Sequence, residues 1–83
     1  MRRVEIVLLN GFNDPEGNRL RERFEKHTGG TWNPHPGEGS FVYHVLANTF
    51  EDASEFVENV FEQELKEAGW REHLRLRDAG GID

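Results

Sequence analysis

The chain has 83 residues, of which 35% are hydrophobic and 31% charged, and its formal net charge is −6. This length supports one domain with a single core, and the absence of cysteine excludes disulfides, thiolate catalysis, cysteine-based zinc sites and iron–sulfur clusters. The longest uninterrupted apolar run, residues 6–9, is far shorter than the ~20 residues of a membrane span. The first residues lack the apolar segment of a secretory signal, so we expect a cytoplasmic protein without membrane association.

The first strand and the first helix are predicted from the opening residues. Residues 4–10 are apolar on both faces and end at an Asn-Gly pair, which is typical of a strand inside a sheet. Asp14 and Pro15 then supply an N-cap and a first helical residue. The helix is predicted to run to Thr28 and to stop at the adjoining Gly-Gly pair.

The middle of the chain is predicted to hold two strands. The second strand, the weakest element, is placed at Thr31 and Trp32, and a turn-rich loop over residues 33–39 comes after it. Residues 41–47 are rich in β-branched and aromatic side chains and predict the third strand.

The second helix is the most strongly patterned element. Thr49 and Asp52 resemble a capping box at its start, and Gly69 supplies its stop. Between them, apolar residues recur at helical spacing: Phe50, Ala53, Phe56, Val57, Val60, Phe61, Leu65 and Ala68. The alternating residues 70–77 then predict the last strand.

This order of elements is strand, helix, strand, strand, helix, strand. With right-handed crossovers it predicts an α+β fold, a ferredoxin-like split β-α-β sandwich (βαββαβ), in which two helices cover one face of an antiparallel sheet. The expected sheet order is fourth, first, third, second. Residues 1–78 are predicted to form this single domain and residues 79–83 a flexible C-terminal tail.

The acidic excess lies on the second helix. Residues 48–69 hold seven acids and one base, whereas the rest of the chain holds nine of each. Four of these acids fall on one stripe opposite the apolar residues: Glu51, Glu55, Glu58 and Glu62. The stripe is interpreted as a docking surface for a basic partner or as a mimic of a phosphate backbone. The alternative is a solvated face that keeps a small protein soluble.

The last strand is predicted to form a basic border on the sheet face that carries no helices. Its leucines and Trp70 are expected to face the helices, which leaves four side chains on the opposite face: Arg71, His73, Arg75 and Arg77. The middle of that face is expected to be apolar, with Val7 and Leu9 and either Val42 and Leu46 or Phe41 and Val45. Such a face is typically an interface or a ligand platform, and self-association is its simplest use. The alternative for the arginines is protection of a sheet edge.

Other chemistry has less support in the sequence. The acidic balance argues against a nucleic-acid binder, and the first strand lacks the aromatics on which RNA-binding sheets stack bases. The histidines lack metal-ligand spacing, and His44 and His73 would lie on strands separated by the first strand. No metal, no cofactor and no catalytic residue is therefore predicted, because nucleophile motifs and phosphate-binding loops are also missing.

A small-ligand site is the remaining possibility for the loops at residues 10–14 and 33–39. The first loop opens onto a helix N-terminus, where an anion can bind with help from Arg19. Its candidate residues are Asn13, Arg19 and His35, with Glu38 beside them for acid–base work. This site requires that the two loops form one pocket.

Residues 14–17 read D-P-x-G after the first strand. This motif and the element order resemble the small subunit of bacterial formylglycinamide ribonucleotide amidotransferase, in which D-P-x-G opens the first helix. The resemblance implies a non-catalytic subunit that assembles as a dimer. In this chain Gly-Glu-Gly at residues 37–39 replaces that family's middle Gly-Lys, and the Asn-Pro before its last strand is missing.

We therefore expect a small non-enzymatic interaction module or accessory subunit, which binds a protein partner or a second copy through its open sheet face and its acidic second helix. Two alternatives stay open. One is a small-molecule-binding or catalytic domain that uses the loops at residues 10–14 and 33–39. The other is an acidic inhibitor that occupies a nucleic-acid-binding protein.

Overall fold

The computed structural model of the protein describes residues 1–35 and 39–81. Its main elements in that part of the chain are β1 (Arg2–Leu8), α1 (Pro15–Thr28), β2 (Asn33–His35), β3 (Ser40–Ala47), α2 (Phe50–Glu58) and β4 (Leu74–Gly81). Shorter helical segments join them: a 3₁₀ turn at Gly11–Asn13, a π-helix at Asn59–Glu64 and a 3₁₀ turn at Trp70–Glu72. No helix among the described residues is long and apolar enough to cross a membrane.

The strands form one antiparallel sheet in the order β2-β3-β1-β4. β1 lies inside the sheet, where Ile6 is opposite Tyr43 on β3 and Leu76 on β4. The inner position predicted for the first strand is confirmed, and so is an α+β fold with a four-stranded antiparallel sheet and two α-helices.

The core lies between one face of the sheet and both α-helices. Side chains alternate along a strand, and Val4, Ile6 and Leu8 of β1 are fully buried on the same face. Residues of both helices belong to the same buried cluster: Leu20 and Phe24 of α1, Ala53 and Val57 of α2. Both helices therefore cover one face of the sheet.

Aromatic rings link the elements of this core. Phe24 on α1 stacks on Phe61 with ring centroids 4.9 Å apart, and Phe61 stacks on Trp70 at 5.1 Å. Phe24 also meets Tyr43 at 5.0 Å and Trp32 at 6.0 Å in edge-to-face contacts. Because such pairs add ~1 kcal/mol each beyond the burial of their area, this cluster fixes α1 and β3 to the segment after α2.

The bounds predicted for the first helix are confirmed at Pro15–Thr28. Gly29 ends the helix with a left-handed φ of 79°, and its N–H donates to the Glu25 carbonyl at 2.8 Å. Asp14 occupies the N-cap position, but its side chain makes no capping hydrogen bond. The carboxylate of Asp14 is directed to His73 instead.

The second helix ends earlier than predicted. Its start is confirmed, because the Thr49 hydroxyl accepts from the Asp52 N–H at 3.1 Å. The predicted stop at Gly69 is wrong: α2 changes into a π-helix at Asn59–Glu64, and the chain then turns at Lys66, whose φ is 56°. The wider π turn allows the consecutive residues 60 and 61 both to be buried in the core.

The last strand is shifted toward the C-terminus. Residues 70–72 form a 3₁₀ turn because Trp70 is drawn into the core, where it is 1% exposed, and β4 begins only at Leu74. β4 also continues past Arg77, and Gly81 pairs with Arg2 on β1. Residues 79–81, which were predicted to belong to a flexible tail, are therefore part of the sheet. Residues 82 and 83 lie outside the described residues.

The second strand is short and lies later than predicted, at Asn33–His35. Trp32, which was predicted to open it, is buried in the core between α1 and β3. Its side chain anchors the chain just before the strand. His35 is consequently a strand residue opposite Ser40, whereas the rest of the predicted loop, residues 36–38 with Glu38, lies outside the described residues.

The turn after β1 packs tightly on the hairpin of β2 and β3. Gly11 has a φ of 31°, and a Cβ there would lie 1.5 Å from the Gly39 carbonyl oxygen. We expect Gly11→Ala to lower the free energy of unfolding, measured by urea denaturation, by about 3 kcal/mol, because strain and overpacking add together.

Gly29→Ala is the matched control. Gly29 also has a positive φ, 79°, but nothing lies within 4 Å of its added Cβ. It should cost only about 1 kcal/mol, the penalty of a left-handed backbone. Equal effects of the two substitutions would contradict the close approach of Gly11 to Gly39.

Candidate functional site

The sheet face opposite the helices carries the first candidate surface. Its register places Val42 and Leu46 of β3 there, while Phe41 and Val45 pack toward the core. The choice left open by the sequence is thus settled for Val42 and Leu46. We call this surface the open sheet face; its side chains are those of Arg3, Glu5, Val7, Val42, His44, Leu46, Arg75 and Arg77. Val42, in the middle that was expected to be an apolar surface, is only 2% exposed.

Leu46 is the most exposed apolar side chain of the open sheet face, at 57%. Across the sheet, Arg77 Nε donates to Glu5 Oε1 at 3.0 Å, and His44 Nδ1 lies 4.0 Å from Glu5 Oε2. Arg75 makes no ion pair or hydrogen bond through its side chain with any described residue. The border formed by β4 therefore keeps a basic charge at Arg75, level with Val7 and Val42, whereas the exposed Leu46 lies opposite Arg3, four residues further along β3.

A second candidate surface lies on α2. Glu51, Glu55 and Glu58 form what we call the acidic helix surface, and with Phe50 and Ser54 they line a surface cavity of about 310 Å³. Within residues 1–35 and 39–81, Glu51 and Glu55 have no ion-pair partner. Part of the predicted acidic stripe is therefore available to a partner.

The remainder of the stripe is neutralised by Arg71, so the prediction that Arg71 lies on the open sheet face is wrong. Because residues 70–72 form a turn on the helix side, Arg71 Nη2 lies 2.5 Å from Glu58 Oε2, and its Nε is 3.7 Å from Glu62 Oε1. The guanidinium also lies 4.5 Å from the centre of the Trp70 ring. Glu62 in turn accepts from Trp70 Nε1 at 3.1 Å.

His73 is also absent from the open sheet face, which corrects a second prediction. It precedes β4, and its Nδ1 lies 2.8 Å from Asp14 Oδ2 at the start of α1. Its carbonyl accepts from the Leu9 N–H at 2.8 Å. The hydrogen bond from His73 holds the pKa of Asp14 below its ordinary value, even though burial of the carboxyl acts in the opposite direction.

Arg19 belongs to a network that fixes the chain after the π-helix onto α1. Its guanidinium makes two hydrogen bonds to Glu67, at 2.7 and 3.1 Å, and Arg23 contacts the same carboxylate. Glu67 is only 14% exposed, and the hydrogen bond from Arg19 lowers its pKa. Arg19 thus has a structural partner at the position where the sequence suggested a ligand.

In residues 1–35 and 39–81, the cavity that Arg19 lines does not include Asn13 or His35, the other two residues of the predicted small-ligand site. The two loops do lie at the same end of the sheet, since Gly11 approaches Gly39. Arg19 lines a cavity of about 470 Å³ beside His73, but Asn13 and His35 do not line it in the described part of the chain. Among the same residues no group of three acids or histidines could hold a metal ion.

Two roles were missed by sequence reasoning. Nothing local links Asp14 to His73, which lie 59 positions apart. The role of Glu67 could have been predicted, because Arg19 and Arg23 are one turn apart on α1 and can bind the same carboxylate.

Comparisons of the chain with protein-family models, with curated proteins and with solved structures found no match. The resemblance of residues 14–17 to the amidotransferase small subunit stays a prediction from the sequence.

The bond between Asp14 and His73 has a pH-dependent consequence. A folded-state pKa below the unfolded one means that the ionised carboxylate favours the fold. This contribution is complete above the unfolded pKa of about 4 and is lost as the pH falls through the lower folded-state pKa. We expect Asp14→Asn, which keeps a good N-cap residue, to cost about 1 kcal/mol at pH 7 and to flatten this acid limb in urea unfolding from pH 7 to pH 2.

His73→Gln and the double variant complete the experiment. If the two side chains act together, the double variant should be no less stable than the less stable single variant at pH 7. Additive losses, or an Asp14→Asn variant with the acid limb of the wild type, would contradict the assignment.

Proposed function

We propose that the protein is a small non-enzymatic interaction module, an accessory subunit that binds a partner protein through its open sheet face. The observation that carries this proposal is the exposed Leu46 on a helix-free sheet face, where Arg75 has no ion-pair partner among the described residues. Exposed apolar surface rimmed by polar residues marks interaction sites, and Leu46 lies between charged neighbours, with Arg3 opposite it on β1. A second copy of the chain is the simplest partner of this face.

The acidic helix surface is the second contact of this proposal. Buried Ala53 and Val57 point from α2 toward the sheet, and Glu51 and Glu55 lie on the other side of the helix. The negative charge of α2 therefore lies on the opposite side of the molecule from the arginines of the open sheet face. Opposite charges on opposite sides orient a partner as it approaches and discriminate against incorrectly charged ones.

The fold that we infer for this module is the ferredoxin-like split β-α-β sandwich. It is supported by the antiparallel sheet with β1 inside and by two helices on one face. The three-residue β2 and the π-helix at Asn59–Glu64 depart from the simplest form of that fold.

The geometry favours this function over the two alternatives. A ligand-binding or catalytic domain needs Asn13, Arg19 and His35 in one pocket, whereas Arg19 is bound to Glu67 beside a different cavity. An inhibitor that imitates nucleic acid needs a continuous row of carboxylates, and Arg71 interrupts the row.

The proposal is tested by variants of each surface. Leu46→Asp places a charge in the apolar part of the open sheet face, and Glu51→Lys with Glu55→Lys reverses the acidic helix surface. Co-purification from an extract of the producing cells, with light-scattering mass, measures binding to a partner or to itself. We expect Leu46→Asp to weaken the association about tenfold, as for loss of an apolar anchor, and the helix variant to slow its formation at low salt.

Lys26→Glu is the control, because Lys26 lies on α1, away from both surfaces. It should keep the mass and the co-purified proteins of the wild type. If Leu46→Asp also keeps them, the open sheet face is not the binding site and the proposed function fails.

A further inference from the structure

The outer edge of β4 has no neighbouring strand among the described residues. β4 pairs with β1 on one side only, and no described residue pairs with its other side. The strand has eight residues, which extend over about 26 Å. It contains no proline, which natural proteins often place on an exposed edge to block pairing.

The hydrogen-bond pattern shows which backbone groups face outward. Because the Leu9 N–H donates to the His73 carbonyl, the backbone of residue 73 points toward β1. Hydrogen-bonded and non-bonded pairs alternate in an antiparallel ladder, so Arg75 and Arg77 also point their backbone groups toward β1. The N–H and C=O groups of Leu76 and Asp78 are left for an added strand.

The side chains along this edge select acidic residues. An added antiparallel strand would place residues opposite Arg75 and Arg77 in non-hydrogen-bonded pairs, where the Cα atoms are only ~4.5 Å apart and cross-strand ion pairs are favourable. Leu76, between them, faces the core side of the sheet and needs an apolar neighbour. The matching segment alternates acidic, apolar and acidic residues.

A second copy of β4 is disfavoured at this edge in the registers centred on residues 76–78. In a two-fold antiparallel pairing centred on Leu76, Arg75 lies opposite Arg77. In a pairing centred on Arg77, the two copies of this arginine lie opposite each other. In a pairing centred on Asp78, the two copies of this aspartate do so. Like charges directly opposite one another destabilise a sheet, so the edge rejects its own copy in these registers.

We propose that the β4 edge accepts an extended acidic segment of a partner protein as an additional antiparallel strand. The acidic residues of the segment lie opposite Arg75, which has no partner among the described residues, and opposite Arg77, which is also bonded to Glu5. An apolar residue lies opposite Leu76. This inference rests on the proposed function, to which it adds the chemistry of the partner. It uses backbone groups of the sheet edge as well as side chains of the open sheet face.

The probe is a synthetic peptide, acetylated and amidated, with the sequence Glu-Val-Glu-Val-Glu-Val-Glu. Titrated into the isotope-labelled protein at low salt, it should shift the amide signals of Leu76 and Asp78 most strongly. The same peptide with Lys in place of Glu should bind at least about tenfold more weakly. Equal binding of the two peptides, or shifts centred on α1 at Arg23 and Lys26, which line a cavity there, would overturn the proposal.

Two N-methylated peptides separate strand addition from general attraction of charge. Val lies opposite Leu76 in a hydrogen-bonded pair, so methylation of the Val amides removes donors to β4 and should abolish binding. Methylation of the Glu amides alters only the far edge of the peptide and should be tolerated. If both methylated peptides bind alike, no strand is added.

Reversal of one charge on the protein completes the test. Arg75→Glu, at an exposed position, should weaken binding of the Glu peptide about tenfold and strengthen binding of the Lys peptide. Leu46→Asp should leave the shifts on β4 in place. The two hypotheses can fail separately. If a partner co-purifies in a way that depends on Leu46, but the Glu peptide does not shift the amide signals of β4, this inference is wrong and the proposed function is still supported.

Discussion

Burial of Trp70 is the constraint on which the charge distribution of this protein depends. Its ring stacks on Phe61, and its indole N–H is bound by Glu62. Loss of a buried tryptophan side chain typically costs about 3–5 kcal/mol, so the chain cannot place residues 70–72 in a strand without a large penalty. The turn that results carries Arg71 to the helix side and delays the start of β4 until Leu74.

Because of this turn, the basic residues of the C-terminal segment lie on different sides of the molecule and have different partners. Arg71 is occupied by Glu58 and Glu62, which attaches the turn to α2 and the π-helix. His73 attaches the same segment to the start of α1 through Asp14. Arg75 and Arg77 lie on the border of the open sheet face, where Arg77 is bonded to Glu5 on β1.

Local signals were sufficient for the elements with definite ends. Pro15 and Gly29 fixed both bounds of α1, because proline starts and glycine stops a helix. The alternation over residues 70–77 was misleading, since a 3₁₀ turn that leads into a strand can show the same apolar period as one strand. The partners of the acidic stripe had no local signature, because Arg71 reaches Glu58 and Glu62 only through the turn at residues 70–72. The bond between Asp14 and His73 depends on tertiary packing and has no local signature.

The central claim is that an acidic partner binds at the β4 side of the open sheet face. The most direct test of this claim is a nitroxide label on the N-terminus of the acidic peptide. The label broadens the amide signals of nearby residues in the isotope-labelled protein. We expect the strongest broadening along β4, at Arg75 and Arg77, and none at Glu51 or Glu55. Broadening that is centred on α1 at Arg23 and Lys26, or that is uniform over the surface, would contradict the claim.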